Sequence, residues 1–419
     1  MISAAEKYQK SEERDTYKKI AEQNKSRPIE HIDKNELINE IVSRVQQYRN
    51  YSRNTIINML ICITQNLLTV FSGEPGTGKT SICDILAKCL GLNSLGDYTE
   101  KSNNADDTAD SSNNTDDTAD SSNNTDDTDN DKIRISMNRY VSVSVEKGWS
   151  SKRDLIGYYN PLTRQYDRSN SKIYDALMIL DSEGKGSDLP YLILLDEANL
   201  SPIEYYWADF MKAADRDPDN SNTYINIGLE RDIFIPETLH FLATINNDQT
   251  TEQLSPRLID RAWIIKLPKS VYKRHDPVKC DWGIISWEDI YSAFGKPDNL
   301  TVKQRKVLDE IYKAFEDETT NISISYRVRS SIESYICVAQ EIMEEEEGGK
   351  KKDQIALDYA ILQKLLPKID GPLSSYKDLF EKLENLCASD YGNLTMTAKA
   401  IKKMKDNAKN NMGYCQYLT

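Results

Sequence analysis

The chain has 419 residues, 39% hydrophobic and 29% charged, with a formal net charge of −14. That length accommodates two or three domains and a substantial core, while the acidic balance argues against broad contact with nucleic acid. The charge is uneven: residues 102–131, SNNADDTADSSNNTDDTADSSNNTDDTDND, hold ten Asp and neither Lys nor Arg, which leaves −4 on the remainder and room for a local basic surface.

Residues 1–50 are highly charged, with weak helical periodicity in NELINEIVSRVQQY, and are expected to form an N-terminal helical arm. The opening MISAAEKYQKSEERD lacks the apolar core of a signal peptide. The most apolar run, TIINMLICITQNLLTVFS, is interrupted by Asn58, Gln65 and Asn66 and reads as a helix followed by a buried strand, not as a membrane span. From 51 to 270, buried runs (LLTVFS, YVSVSV, YLILLD, LHFLATIN) alternate with amphipathic segments (SICDILAKCLGL, KIYDALMILD, IEYYWADFMKAA). This pattern predicts an α/β domain whose mainly parallel sheet is flanked by helices. Within it TYINIGLERDIFIP alternates as a small hairpin does.

The decamer DSSNNTDDTA repeats inside residues 102–132 without a large apolar side chain, so a disordered surface insertion is expected there. Its Asp spacing does not match a calcium loop. From 271 to 419 strands give way to helical segments such as VRSSIESYICVAQEIMEEEE and DQIALDYAILQKLLPKI, which predicts a second, all-helical domain. EEEEGGKKKD reads as a polar interhelical loop, and AKAIKKMKDNAKNN as a solvated basic helix face ahead of a nucleic-acid contact. Seven cysteines without a C-x-x-C pair and three isolated histidines suggest neither a disulfide framework nor a zinc site, and so a reduced, cytoplasmic protein.

The sharpest motif is GEPGTGKTS, residues 73–81, placed directly after the strand LLTVFS and opening the helix SICDILAKCL. It matches G-x-x-x-x-G-K-[ST]. In that context Gly73, Glu74, Pro75, Gly76, Thr77, Gly78, Lys79, Thr80 and Ser81 are candidate nucleotide-binding residues. Glycines let successive N–H groups turn inward around phosphate oxygens, at a helix N-terminus that favours negative charge. Lys79 is expected on the outer phosphates and Thr80 on Mg²⁺. YLILLDEANL is a buried strand ending in two acids: Asp196 is the candidate Mg²⁺ ligand and Glu197 the group that polarises an attacking water. FLATIN ends on Asn246, a candidate for orienting that water, with Asn247 in competition.

These residues resemble the AAA+ superfamily, with Lys79 and Thr80 similar to Walker A, Asp196 and Glu197 to Walker B, and Asn246 to the polar sensor. GWSSKRDLIGYYNPLTRQY, LLDEANLSPIEYYWADFM and FLATINNDQTTEQLSPRLIDRAW resemble McrB-type ATPases of the dynein-related, MoxR branch, over roughly residues 51–340. The resemblance implies a P-loop NTPase core followed by a helical lid. It makes Arg261 an arginine finger acting on a neighbouring subunit, with Arg257 second, and puts Arg327 of ISYRVRSSIESY on the nucleotide of its own subunit. INNDQTTEQ departs from the M-N-T-A-D phrase of GTP-using members, which favours ATP over GTP with Mg²⁺.

The function so implied is the ATPase motor of a McrBC-like restriction or antiphage complex: a homo-oligomer, hexameric, driving a separate nuclease or effector. DNA contact would then come through the ring or the partner, and target recognition from the N-terminal arm, from loops such as residues 149–160, or from another chain. The rivals are a MoxR-like remodelling chaperone, a GTPase of the McrB type and a slowly hydrolysing scaffold.

Overall fold

The computed structural model describes residues 4–25, 31–101, 132–160, 162, 165–167, 171–215, 223–227, 232–247, 251–273, 283–297, 299–346, 349–389 and 393–418. Residues 102–131 of the Asp-rich insertion lie outside them, whereas Lys132, expected to belong to the insertion, opens a strand, Lys132–Ser136, paired antiparallel with Asp97–Lys101.

Five apolar runs form one parallel sheet: β1 (Leu68–Ser72), β2 (Tyr140–Ser144), β3 (Tyr191–Asp196), β4 (Leu239–Ile245) and β5 (Trp263–Lys266), in the order β5-β1-β4-β3-β2. Every residue of β1 and β4 is buried, as expected of central strands with neighbours on both edges and helices alongside. The register sets Ser72 opposite both Ile245 and Lys266, and Ser144 opposite Asp196. The carboxyl ends of β1, β3 and β4 therefore come level, and the loops that leave them share one edge of the sheet. In open α/β sheets that edge is where ligands bind.

In chain order, the helices used below are α1 (Ala4–Lys25), α2 (Lys34–Tyr48), α3 (Arg53–Gln65), α4 (Lys79–Cys89), α5 (Ser171–Glu183), α6 (Pro256–Arg261), α7 (Tyr326–Ile342), α8 (Lys352–Ala360) and α9 (Thr395–Asn410). Helix α3 is buried all round from Ile56 to Thr64, which explains the apolar run ahead of β1. Among the described residues no helix is long and apolar enough to cross a membrane. The two helices of the N-terminal segment pack on the core. Tyr17 of α1 donates to Asp175 of α5 at 2.5 Å, and Asn24 donates to Glu183 at 3.0 Å. Glu183 is itself held by Arg139 in a fully buried pair, with N–O distances of 2.8 and 3.0 Å. TYIN and DIFI pair antiparallel as a hairpin.

Two expectations need correction. IEYYWADFMKAA is two short helices, Ile203–Tyr206 and Ala208–Ala213, divided at Trp207, whose φ of −104° and ψ of 12° leave the helical basin while its indole is buried against Phe210 and Phe241. The C-terminal part is not all-helical: Asp370–Pro372 pairs antiparallel with Tyr414–Gln416. Three-residue strands carry too little alternation to register in a sequence. The helix α8 also continues through a π-helical turn, Ile361–Leu365.

Candidate active site

The loop at residues 73–81 turns on Gly76 and Gly78, whose φ values of +80° and +87° lie in the region that favours glycine. Thr77 stabilises the bend by donating its hydroxyl to the Glu74 carbonyl at 2.9 Å, and α4 begins at Lys79. The Lys79 ammonium is buried and folds back onto the loop, donating to the carbonyls of Gly73 at 2.9 Å and Glu74 at 3.1 Å. Burial lowers its pKa, and the carboxylates of Asp196 and Glu197 act in the opposite direction.

Thr80 donates to Asp196 Oδ1 at 2.8 Å, joining the first turn of α4 to the tip of β3. The same oxygen accepts from Thr244 of β4 at 2.6 Å, and the Thr244 hydroxyl accepts from the Glu197 N–H at 2.9 Å. Thr244 was not among the predicted residues, although a hydroxyl in the apolar run LHFLATIN was its visible signal. Glu197 is exposed and has a φ of +53°, a conformation that costs a non-glycine residue energy and recurs at functional sites. Thr80 and Asp196 offer two oxygen ligands to a hard cation, and among the described residues no three His, Cys, Asp or Glu side chains gather as a larger metal cage.

The two asparagines at the end of β4 have different hydrogen-bond partners. Asn247 Nδ2 donates to Ser72 Oγ at 2.8 Å, which sets it beside the start of the loop. Asn246 is held by its backbone: its carbonyl accepts from Asn199 Nδ2 at 2.8 Å, and its N–H donates to Asn199 Oδ1 at 3.2 Å. Asn246 and Asn247 both line a cavity of about 1160 Å³ with Asn199, Arg257, Arg261, Arg327 and Lys368, and no residue of 73–81 lines it.

In that cavity Arg261 makes a bidentate pair with Asp215 at 2.8 and 2.6 Å, and donates to the Arg257 carbonyl at 2.9 Å. Arg257 is exposed. Arg327, expected beside the nucleotide of its own chain, reaches the same Asp215 at 2.9 Å. One carboxylate thus gathers two guanidinium groups that are 66 residues apart in a chain whose motif spacing gave no hint of it. Helix α6, which carries Arg257 and Arg261, is held from the C-terminal part: Lys364 donates to the carbonyls of Asp260 and Ala262 at 2.9 and 2.8 Å, and Lys368 pairs with Asp260.

A family model described as "Domain of unknown function (DUF8727)" matches residues 283–414, the part that carries α7, α8 and α9 and lies C-terminal to every residue of the loop and the two acids. No curated protein matches the chain.

Proposed function

We propose that this chain is a Mg²⁺-dependent nucleoside triphosphatase of the AAA+ superfamily, ATP being favoured over GTP. We propose further that it works as a ring of copies, the motor of a McrBC-like defence complex with a separate nuclease or effector. The observation that carries the hydrolase reading is the Thr80–Asp196–Thr244 hydrogen-bonded link, lying beside Lys79 and the glycine-rich loop that Lys79 folds back onto. It supplies in one place what phosphoryl transfer needs: an anion seat, a cation ligand pair and a carboxylate base.

The residues fit Mg²⁺, which keeps waters and is shared with substrate phosphates, so one hydroxyl and one carboxylate suffice from the protein. When bound, Mg²⁺ neutralises charge on the phosphate oxygens. Thr80 and Asp196 would hold it. Lys79 exchanges the carbonyls of Gly73 and Glu74 for the outer phosphates, a stronger, charge-assisted bond. Glu197, exposed and fixed through its N–H by Thr244, draws the proton from the attacking water. Asn247, whose amide donates to Ser72 at the start of the loop, orients that water in this reading, while both it and Asn246 line the arginine cavity.

The ring is supported by the grouping of Arg261 and Arg327 in a cavity that the phosphate loop does not line. Arginines so placed complete the loop of a second copy, where they stabilise charge on the transferred group. The test is Glu197→Gln, assayed with both MgATP and MgGTP. Binding persists, because Lys79, Thr80 and Asp196 remain, while turnover falls by about 10² or more. Wild-type turnover in that variant sinks the assignment.

A further inference from the structure

Arg49 ends α2 and lies on the phosphate loop. It is 8% exposed, yet no carboxylate pairs with it among the described residues and its Nε has no hydrogen-bond partner. Its guanidinium is caught between two surfaces. On one side Cζ lies 5.0 Å from the centre of the Tyr272 ring. On the other is Gly78, where a methyl group would fall 2.5 Å from Nη2, 2.8 Å from Cζ and 2.9 Å from Nη1. Gly78 is thus required twice, by its positive φ and by the arginine against it.

The backbone holds this position firmly. Arg49 pairs with Tyr272 in an antiparallel bridge, the Lys273 N–H donates to the Tyr48 carbonyl at 2.9 Å, and the Val271 N–H donates to Asn50 Oδ1 at 2.6 Å. A buried guanidinium without an anion is costly, and a ring face compensates it only in part. The charge lies against Gly78, the residue before Lys79, where the helix α4 begins and its N-terminus favours an anion.

We infer that Arg49 binds a phosphate group of the nucleotide held by residues 73–81, as a second cation supplied from the N-terminal helices. The inference rests on the proposed nucleotide site. Phosphate binding then ties the end of α2 and the segment after β5 to occupancy of the loop, because the same guanidinium touches both.

The test compares wild type with Arg49→Met and Arg49→Lys by calorimetry with MgADP and with inorganic tripolyphosphate, alongside thermal melts without ligand. Arg49→Met removes one charge-assisted contact, so affinity for both probes should fall by about tenfold to a hundredfold. Arg49→Lys should recover part of it. Without ligand, Arg49→Met should melt no lower than wild type, since an uncompensated charge has been removed; if it does not fold, the Arg49→Lys and wild-type affinities decide. Unchanged affinity in a folded variant overturns the inference. So does a loss confined to MgADP, which would mean contact with the base or ribose. If wild type itself binds neither probe, the nucleotide reading fails and takes Arg49 with it, whereas wild-type binding with an indifferent Arg49 fails the inference alone.

Discussion

Thr244 closes the site. Its hydroxyl donates to Asp196 and accepts from the Glu197 N–H, so one side chain orients the candidate cation ligand and the backbone that aims the candidate base. Thr244→Val keeps the shape and removes both bonds. A buried group left without its partner costs about 1–3 kcal/mol, so the melting temperature should drop by a few degrees while the sheet, buried throughout β4, persists. Turnover should fall about tenfold or more, and nucleotide binding should stay within a few-fold, because Lys79 and Thr80 are untouched. Full turnover in a stable Thr244→Val protein would show that the bond does not position Glu197.

Helix α6 shows how an element of six residues is held at both ends. Ser255 caps its start by accepting from the Leu258 N–H, and Asp215 anchors Arg261 in its last turn. At its C-terminus the unpaired carbonyls of a helix favour a cation, and Lys364, supplied by the π-helical turn after α8, fills that role. Burial lowers the Lys364 pKa to about 7, with Asp260 opposing, and burial with Lys403 nearby lowers that of Lys266 to about 8. Both folded values lie below the unfolded 10.5, so in the window between them the unfolded chain binds more protons and stability rises with pH. Stability should therefore increase between pH 7 and 9.5, Lys364 contributing at most about 1.4 kcal/mol per pH unit. Lys364→Met should be less stable near neutrality, having left carbonyls without a donor, yet its stability should climb less steeply with pH in denaturant titrations. An equal slope in the two proteins would place the titrating group elsewhere.

At the scale of the whole molecule, the loop with its acids and the arginine cavity are lined by different residues, and the proposed ring would make them two halves of one site. If each works only with the complementary half of another copy, Lys79→Ala and Arg261→Ala proteins should be nearly inactive alone and recover turnover when mixed. Each mixed ring would hold an interface with an intact loop facing an intact arginine. The loss in each pure variant is expected to be about 10³-fold or more, so a small recovered fraction would stand above background in a hydrolysis assay. Arg257→Ala and Arg327→Ala belong in the same series, because Arg257 shares the cavity and Arg327 shares Asp215. No recovery at any ratio, with mixed assemblies demonstrated, would leave Arg261 as a surface charge held by Asp215.

What the sequence determined by itself is what short-range rules control. Glycine alone fits the φ of positions 76 and 78, and a strand–loop–helix run of residues 68–89 needs no distant partner to define it. Runs of β-branched and aliphatic residues bounded by polar ends made the parallel strands legible, together with Asp196 and Glu197 at one tip. Only the tertiary structure decided which chemistry-bearing residues meet. Thr80 and Asp196 are separated by 116 positions, Thr244 and Asp196 by 48, and Arg261 and Asp215 by 46. No spacing along the chain encodes these meetings. The strand order β5-β1-β4-β3-β2, with its register, brings the carboxyl ends level, and a shift of one residue would turn Thr244 away from Asp196. The same holds for the different partners of Asn246 and Asn247 and for Arg49 against Gly78: adjacent residues and distant ones alike take their contacts from the sheet edge and the packed helices around them, a property of the assembled fold.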